Sequence, residues 1–341
     1  MSEIRYNRMY DTHVIIAPER LHRPECEIDL KAIESSDICP FCEGNESMTP
    51  PEIFAIRGDE TFANEGGWKT RVVPNLYKAV KIETPYQHHY GMFEYWEGFG
   101  AHEIVIDTPT HHISMMQWNV SEVGFWLKTL RERSGDLRRD HRIAYLSLFK
   151  NEGYLSGSTQ THSHTQIIGL PIIPREDAQR YRREYEHYKA TGKAMLELMV
   201  HQEEEDGTRI VSKKGDFTAY CPYASAYPFE VMISSQKELG QIDSLSDPSI
   251  EDISQLLLST LKRLERQLGC FHFNLCVLTP PLQEGTIGYD EFGSIDKYSR
   301  FAIRIMPRLY RHGGFEVNTG VLINPVVPEI AAKLLRESSD V

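Results

Sequence analysis

The sequence predicts an α+β fold made of two similar halves in tandem, and three observations carry that expectation. Short apolar runs with strand character alternate with longer stretches whose apolar residues recur at helical spacing. His102-Glu103-Ile104-Val105-Ile106 is echoed by Phe229-Glu230-Val231-Met232-Ile233, and Ile143–Phe149 by Phe273–Leu278, at an interval of 127 to 130 residues, too long for a solenoid repeat. Each echoed pair of strands is separated by an amphipathic helix.

Taken in order, Met9–Pro18 alternates apolar and polar residues as a strand does, then leads into a bend flanked by Arg20 and Arg23. Guanidinium forks at such a bend are suited to phosphate oxygens, although two arginines alone are also an ordinary solvated surface. A turn at Cys39-Pro40-Phe41-Cys42 opens a loop rich in Gly, Pro and Glu, and strand character resumes over Trp68–Val80, interrupted at Pro74-Asn75. Glu103–Asp107 reads as a strand. Asn119 then caps a helix with Glu122 as its capping-box partner, and Val123, Trp126, Leu127 and Leu130 give it one buried face. The strand Ile143–Phe149 runs into a Gly/Ser loop, Asn151–Gln160. Arg175–Asp206 is a helical connector, whose Tyr181, Tyr185 and Tyr188 are expected to pack against one of the halves.

The second half repeats the scheme, with a helix capped by Asp247-Pro248 and a core face of Ile250, Ile253, Leu257, Leu261 and Leu264. Gln283–Tyr298 reads as a surface loop, Gly313–Pro325 as extended chain, and Pro328 as the start of a last helix with Ile330, Leu334 and Leu335. These boundaries give an N-terminal half over 1–175, a connector over 176–206 and a C-terminal half over 207–341.

The formal charge of −12 argues against a nucleic-acid duplex or an anionic membrane as the main partner. Charged residues at 25% and hydrophobic ones at 40% are ordinary globular usage. No uninterrupted apolar run is long enough to span a bilayer, and the cytoplasm is the expected location. Six cysteines do not make a disulfide framework in a chain this long. Cys39 and Cys42 have the short spacing that lets two thiolates grip one metal ion. Cys26, Cys221, Cys270 and Cys276 read as small apolar residues.

The chemistry concentrates at His162-Ser163-His164-Thr165-Gln166. In an extended strand His162, His164 and Gln166 project to one side, a poor core surface and a good catalytic ledge. The preceding glycines allow close approach of a ligand, and successive amides there can cradle phosphate oxygens. Two further ligands would close a tetrahedral site on Cys39 and Cys42. His111 and His162 are candidates, with His102, His112 and the His88-His89 pair open as substitutes. With four protein ligands the metal would be structural. His164 would remain as a nucleophile toward phosphorus, neutral imidazole being abundant near pH 7. Gln166 can donate to a phosphoryl oxygen but cannot transfer a proton, which favours group transfer over hydrolysis. The second half has Ala302 and Arg304 where the histidines stand in the first, so it keeps the scaffold without the chemistry.

Asp11, Arg20 and Arg23, Cys39-x-x-Cys42, Asn75, Pro109-Thr110-His111, the Asn151 loop and His162-x-His164-x-Gln166 together resemble the galactose-1-phosphate uridylyltransferase family of the histidine triad superfamily. The resemblance implies two tandem histidine-triad-like half-domains, each an antiparallel sheet with packed helices. It also implies a homodimer with active sites near the subunit interface, and double displacement through a nucleotidyl-histidine. By position, Cys39, Cys42, His111 and His162 match the ligands of one structural zinc, and His164 matches the nucleophile. Arg20, Arg23, Asn75, Asn151, Gly157, Ser158, Thr159 and Gln166 match positions that handle the nucleotide and its phosphates. Arg180, Ala302 and Arg304 stand where some members build a second metal site, so none is expected. Asn75-Leu76 stands in place of the family's Asn-Asp pair and Thr319-Gly320 in place of its hexose-contacting Tyr-Glu pair, while Asn75-Leu76-Tyr77, His162-Ser163-His164 and the stretch from Gly314-Phe315-Glu316-Val317 to Asn324-Pro325 look closer to the ADP-glucose phosphorylase branch. The implied substrates are a nucleoside diphosphate sugar and, as acceptor, phosphate or a sugar 1-phosphate. A nucleotide-phosphate hydrolase using the same histidine and a non-catalytic zinc-stabilised nucleotide-binding protein are the rival readings.

Overall fold

The computed structural model describes residues 1–22, 38–111, 114–237, 239–282 and 295–338. In chain order the first half contributes β1 (Glu3–Asn7), β2 (Thr12–Ile16), β3 (Phe54–Arg57), β4 (Trp68–Pro74), β5 (His88–His89), β6 (Tyr95–Trp96), β7 (Ala101–Ile106), α1 (Val120–Leu137), β8 (Tyr145–Glu152) and β9 (His164–Leu170). The connector is α2 (Arg175–Thr191) and α3 (Met195–Asp206). There follow β10 (Ile210–Lys214), β11 (Phe217–Tyr220), β12 (Val231–Ser235), α4 (Asp247–Leu268), β13 (Phe273–Leu278), β14 (Ala302–Pro307), α5 (Gly314–Thr319), β15 (Leu322–Asn324) and α6 (Pro328–Glu337).

The duplication is visible in the topology. One antiparallel sheet of ten strands runs β3-β4-β7-β9-β8-β13-β14-β12-β11-β10. Read inward from either end, the two five-strand halves match position by position, and they meet at the β8–β13 pair. The halves are thus fused edge to edge into one continuous sheet, which leaves β8 and β13 without free edges that would otherwise invite pairing with other chains.

Alternation along the strands gives the sheet two unlike faces. On one, α1 and α4 pack against each other and over Val105, Ile167, Phe273 and Ile303, with Trp126, Leu130, Ile253 and Leu257 as their buried contribution. Burying each such side chain contributes about 1.5–3 kcal/mol. The capping box forms as expected: Asn119 Oδ1 accepts from the Glu122 amide at 3.0 Å and Glu122 Oε2 from the Asn119 amide at 2.7 Å. On the other face, the second half is covered by Met9 from the N-terminal turn and by Leu196 and Val200 of α3, packed with Tyr220, Met232 and Ala302. In the first half that face carries Ile104 and Ile106, with Phe41 of the Cys-x-x-Cys turn packed beside them. No helix among the described residues is long and apolar enough to cross a membrane.

Several expected elements differ. The N-terminal strand is a hairpin, because the Asn7 side chain accepts from the amides of Met9 (3.1 Å) and Tyr10 (3.2 Å) and turns the chain there. Gly313–Pro325 is a short helix followed by β15: Glu316 accepts the Gly313 amide at 2.8 Å and Gly320 closes the turn in the left-handed conformation. The N-cap of α4 is Ser246, one residue before the expected one, and its hydroxyl oxygen accepts the Ser249 amide at 3.2 Å. Tyr181 is buried and donates to the Thr279 carbonyl, while Tyr185 and Tyr188 meet the Tyr298 ring, so the connector does pack on the second half. Cys270 is exposed, contrary to its reading as an apolar residue, because it follows the end of α4; Cys221 is buried and Cys276 half-buried. Cys26 and most of the Gln283–Tyr298 loop lie outside the described residues.

Candidate active site and metal centre

The Cys-x-x-Cys turn, the segment after β7 and the bend before β9 converge on the open face of the first half. The ligand atoms of Cys39, Cys42, His111 and His162 all lie within 4.8 Å of one another. His162 Nδ1 is 3.5 Å from Cys39 Sγ and 3.6 Å from Cys42 Sγ, and His111 Nδ1 is 3.4 Å from Cys42 Sγ. The far nitrogens are engaged: His162 Nε2–H donates to the Thr108 carbonyl at 2.9 Å, and His111 Nε2 lies 3.3 Å from Thr161 Oγ1. That carbonyl fixes the His162 tautomer and leaves Nδ1 with its lone pair turned towards the sulfurs, the arrangement that metal-ligating histidines ordinarily have. Burial pushes the His162 ring down to about 4, so it is neutral, and burial together with Cys39 pushes the Cys42 thiol up to about 11. A thiolate at Cys42 therefore needs a bound cation, and the donor set is one that could hold a metal ion.

Among the substitutes considered from sequence, His88 and His89 belong to the β5–β6 hairpin, where they stack on Trp96 and Tyr95 and bond Glu94 and Glu97. His102 faces Gln166 across the sheet, and His112 lies outside the described residues.

β9 begins at His164, so His162 sits in the bend just before the strand. Alternation nevertheless persists. Ser163 turns to the helix face, where its Oγ accepts from Lys150 at 2.5 Å, and Thr165 Oγ1 accepts from Trp126 Nε1 at 2.8 Å. His164 and Gln166 face the open side, opposite Ile106 and Ile104 of β7. Phe41 sits edge-on to both His162 and His164, with ring centroids 6.0 and 5.8 Å away. The His164 Nδ1–H donates to the His162 carbonyl at 2.9 Å, which leaves Nε2 with the lone pair and no hydrogen-bond partner among the described residues. Burial lowers the affinity of that ring for a second proton. This arrangement can perform nucleophilic attack.

Beneath the ledge lies a pair that sequence reading missed. Lys150 Nζ bonds Asp107 Oδ2 at 2.9 Å, Ser163 Oγ at 2.5 Å and the His164 carbonyl at 3.4 Å. The signal was a lysine on β8 and an aspartate just past the end of β7, both on the face covered by the helices. Charges there must be paired.

The Gly/Ser loop folds as a tight turn over the end of β8. Gly157 is left-handed (φ 87°), the Ser158 amide donates to the Gly153 carbonyl at 3.3 Å, and the Ser158 hydroxyl donates to the Gln160 carbonyl at 2.9 Å. Asn151, at the end of β8 on the open face, accepts from Asn274 Nδ2 at 2.7 Å, and Thr159 is exposed. Asn75 lies beside the ledge, its Nδ2 3.0 Å from His102 Nε2. Arg20 is exposed in the turn after β2, with no side-chain hydrogen bond or ion pair among the described residues, and Arg23 lies outside them. In the second half, Arg304 Nε donates to Glu230 at 2.6 Å and Ala302 is buried, while Arg180 of α2 is buried and pairs with Asp177 at 2.9 Å.

Residues 1–174 match the family model described as galactose-1-phosphate uridyl transferase, N-terminal domain, which is half of the chain. The chain belongs to the galactose-1-phosphate uridylyltransferase family. Within it, the chain is 30% identical to an ADP-glucose phosphorylase of Arabidopsis thaliana, over 99% of this chain and 93% of that protein. It is 23% identical to a galactose-1-phosphate uridylyltransferase of Thermotoga maritima, over 99% of both. The fold agrees with the crystal structure of the Arabidopsis ADP-glucose phosphorylase with bound ADP-glucose at a TM-score of 0.83 and 28% identity, covering 100% of each chain.

Proposed function

We propose that this family enzyme moves a nucleoside monophosphate group from a nucleoside diphosphate sugar to phosphate or a sugar 1-phosphate, through a covalent intermediate on His164. The observation that carries the reading is the tautomer of that ring: Nδ1–H is committed to the His162 carbonyl, so Nε2 is the nucleophile. Nε2 attacks the α-phosphorus, the bond to the β-phosphate oxygen breaks, and sugar 1-phosphate leaves. The acceptor's oxygen then attacks the phosphoramidate and releases Nε2. With phosphate as acceptor the product is the nucleoside diphosphate. Gln166 donates to a phosphoryl oxygen, and the absence of a proton-transferring group at that position supports transfer over hydrolysis.

The full-length similarity to an ADP-glucose phosphorylase, 30% against 23% for the uridylyltransferase, favours ADP-glucose as donor and phosphate as acceptor. On this reading residues 1–175 carry the chemistry, 176–206 connect, and 207–341 retain the scaffold, and the family resemblance extends the proposal to a homodimer.

The metal in the reading is one structural zinc. Zinc–sulfur bonds of about 2.3 Å and zinc–nitrogen bonds of about 2.0–2.1 Å at a tetrahedral angle put sulfur and nitrogen about 3.5 Å apart. The sulfur–nitrogen contacts of 3.4 to 3.6 Å fit that separation. Bound there, zinc would hold both thiolates and pin the bend that carries His162. The test is turnover with ADP-glucose or UDP-glucose, each with and without phosphate. Phosphate-dependent formation of ADP and glucose 1-phosphate is expected, and equal release of nucleoside monophosphate with and without phosphate would establish a hydrolase instead.

A further inference from the structure

His102 lies on β7, facing the same open side as His164 and Gln166, and is buried. Its Nδ1 accepts the backbone amide of Ala79 at 3.0 Å, and that nitrogen must be unprotonated to do so. The ring proton therefore sits on Nε2, 3.1 Å from Gln166 Oε1. Asn75 Nδ2, 3.0 Å from the same nitrogen, is also a donor, because Asn75 Oδ1 accepts the Tyr77 amide at 2.8 Å. Among the described residues near His102 Nε2, only the Gln166 carbonyl oxygen can take its proton.

We infer that His102 is a positioning residue that fixes which way the Gln166 amide points. A glutamine side chain can present either its oxygen or its NH2 group in a given direction, with little intrinsic preference. With Oε1 held by His102, the NH2 group is left for the other side, where it can donate to a phosphoryl oxygen of a group on His164. The opposite orientation would turn a carbonyl oxygen towards phosphate and repel it. The chain of constraint is Ala79 amide, His102 ring, Gln166 amide, phosphoryl oxygen. It starts from a backbone N–H, which can only donate.

This inference rests on the nucleotidyl-transfer reading, and its test separates the two. Single-turnover formation of the nucleotide adduct on ADP-glucose is timed by rapid quench and intact mass for wild type, His102→Ala, Gln166→Ala and the double variant. Losing a hydrogen bond of this kind slows such a step about tenfold. Each single variant is expected to lose about that much in rate with little change in substrate affinity, and the double variant no more than Gln166→Ala alone. His102→Gln, which can still accept from Ala79 and donate to Gln166, should recover most of the rate, and it covers the case in which His102→Ala folds poorly. Imidazole 15N spectra should show His102 protonated at Nε2. Losses that multiply in the double variant, or an Nδ1–H tautomer, would overturn the assignment while leaving nucleotidyl transfer intact. No adduct on wild type with ADP-glucose or UDP-glucose would overturn both.

Discussion

Replacing Lys150 by methionine tests whether the ledge is pinned from below. Lys150 and Asp107 are 1% and 0% exposed, and all three ammonium protons have acceptors, in Asp107, Ser163 and the His164 carbonyl. At 2.9 Å and an effective dielectric of about 20 the attraction between the charges is about 6 kcal/mol, but desolvation of both offsets much of it. Breaking the pair exposes the asymmetry. The methionine side chain would fill the volume of the lysine stem, yet Asp107 would be left buried and unpaired, its Oδ1 already having no partner among the described residues. Stranding one member of such a pair costs about 3–5 kcal/mol. Equilibrium urea unfolding of the metal-loaded protein should therefore show a lower midpoint at unchanged slope. The double variant Lys150→Met/Asp107→Leu should regain most of that loss, since a well-packed apolar pair is often as stable as a buried ion pair. A single-variant loss below about 1 kcal/mol, against the expected 3–5, or a double variant no better than the single one, would refute the reasoning.

Other outcomes follow from the same geometry. Cys42→Ala should reduce metal content well below one zinc per chain and lower both the unfolding temperature and turnover; full activity in a metal-free variant would show that the bend before β9 holds without an ion. In chelator-treated protein, the stability of wild type relative to His162→Asn should fall as pH drops from 6.5 towards 4. Above 6.5 the ring is neutral whether folded or unfolded, whereas below it only the unfolded chain takes up the proton until about pH 4. The difference amounts to about 3 kcal/mol, and a pH-independent difference would contradict it. Gly153→Ala should destabilise the loop by about 1–3 kcal/mol. Gly153 has φ 84°, and an added Cβ would fall 1.9 Å from the His272 ring, so unchanged thermal unfolding would mean the loop re-forms around it.

Much of this molecule was legible because its signals are local. Asn119 and Glu122 announce a helix start, the apolar spacing through Leu130 announces its buried face, and the echo of strand, helix and strand announces the duplication. The fusion of the halves was not legible, since pairing of β8 with β13 is a contact between segments more than a hundred residues apart with no side-chain signature. The hairpin at Asn7 and the short helix α5 depend on single side-chain caps that a period-based reading averages away. At the site, Cys39 and Cys42 stood out by their spacing and the family resemblance singled out His111 and His162 among several histidines, whereas His102 and Lys150 acquire meaning only from what lies across the sheet. His102 was read as a spare ligand, and only its Ala79 and Gln166 contacts reveal another role.

His164 is the residue proposed to carry the nucleotide. Wild-type protein incubated with ADP-glucose in the absence of phosphate, then digested and sequenced by mass spectrometry under mildly basic conditions, should carry one AMP on His164. The adduct should disappear when phosphate is added, and it should be absent from His164→Ala. An adduct on another residue, or ADP-glucose turnover that persists in His164→Ala, would contradict the account.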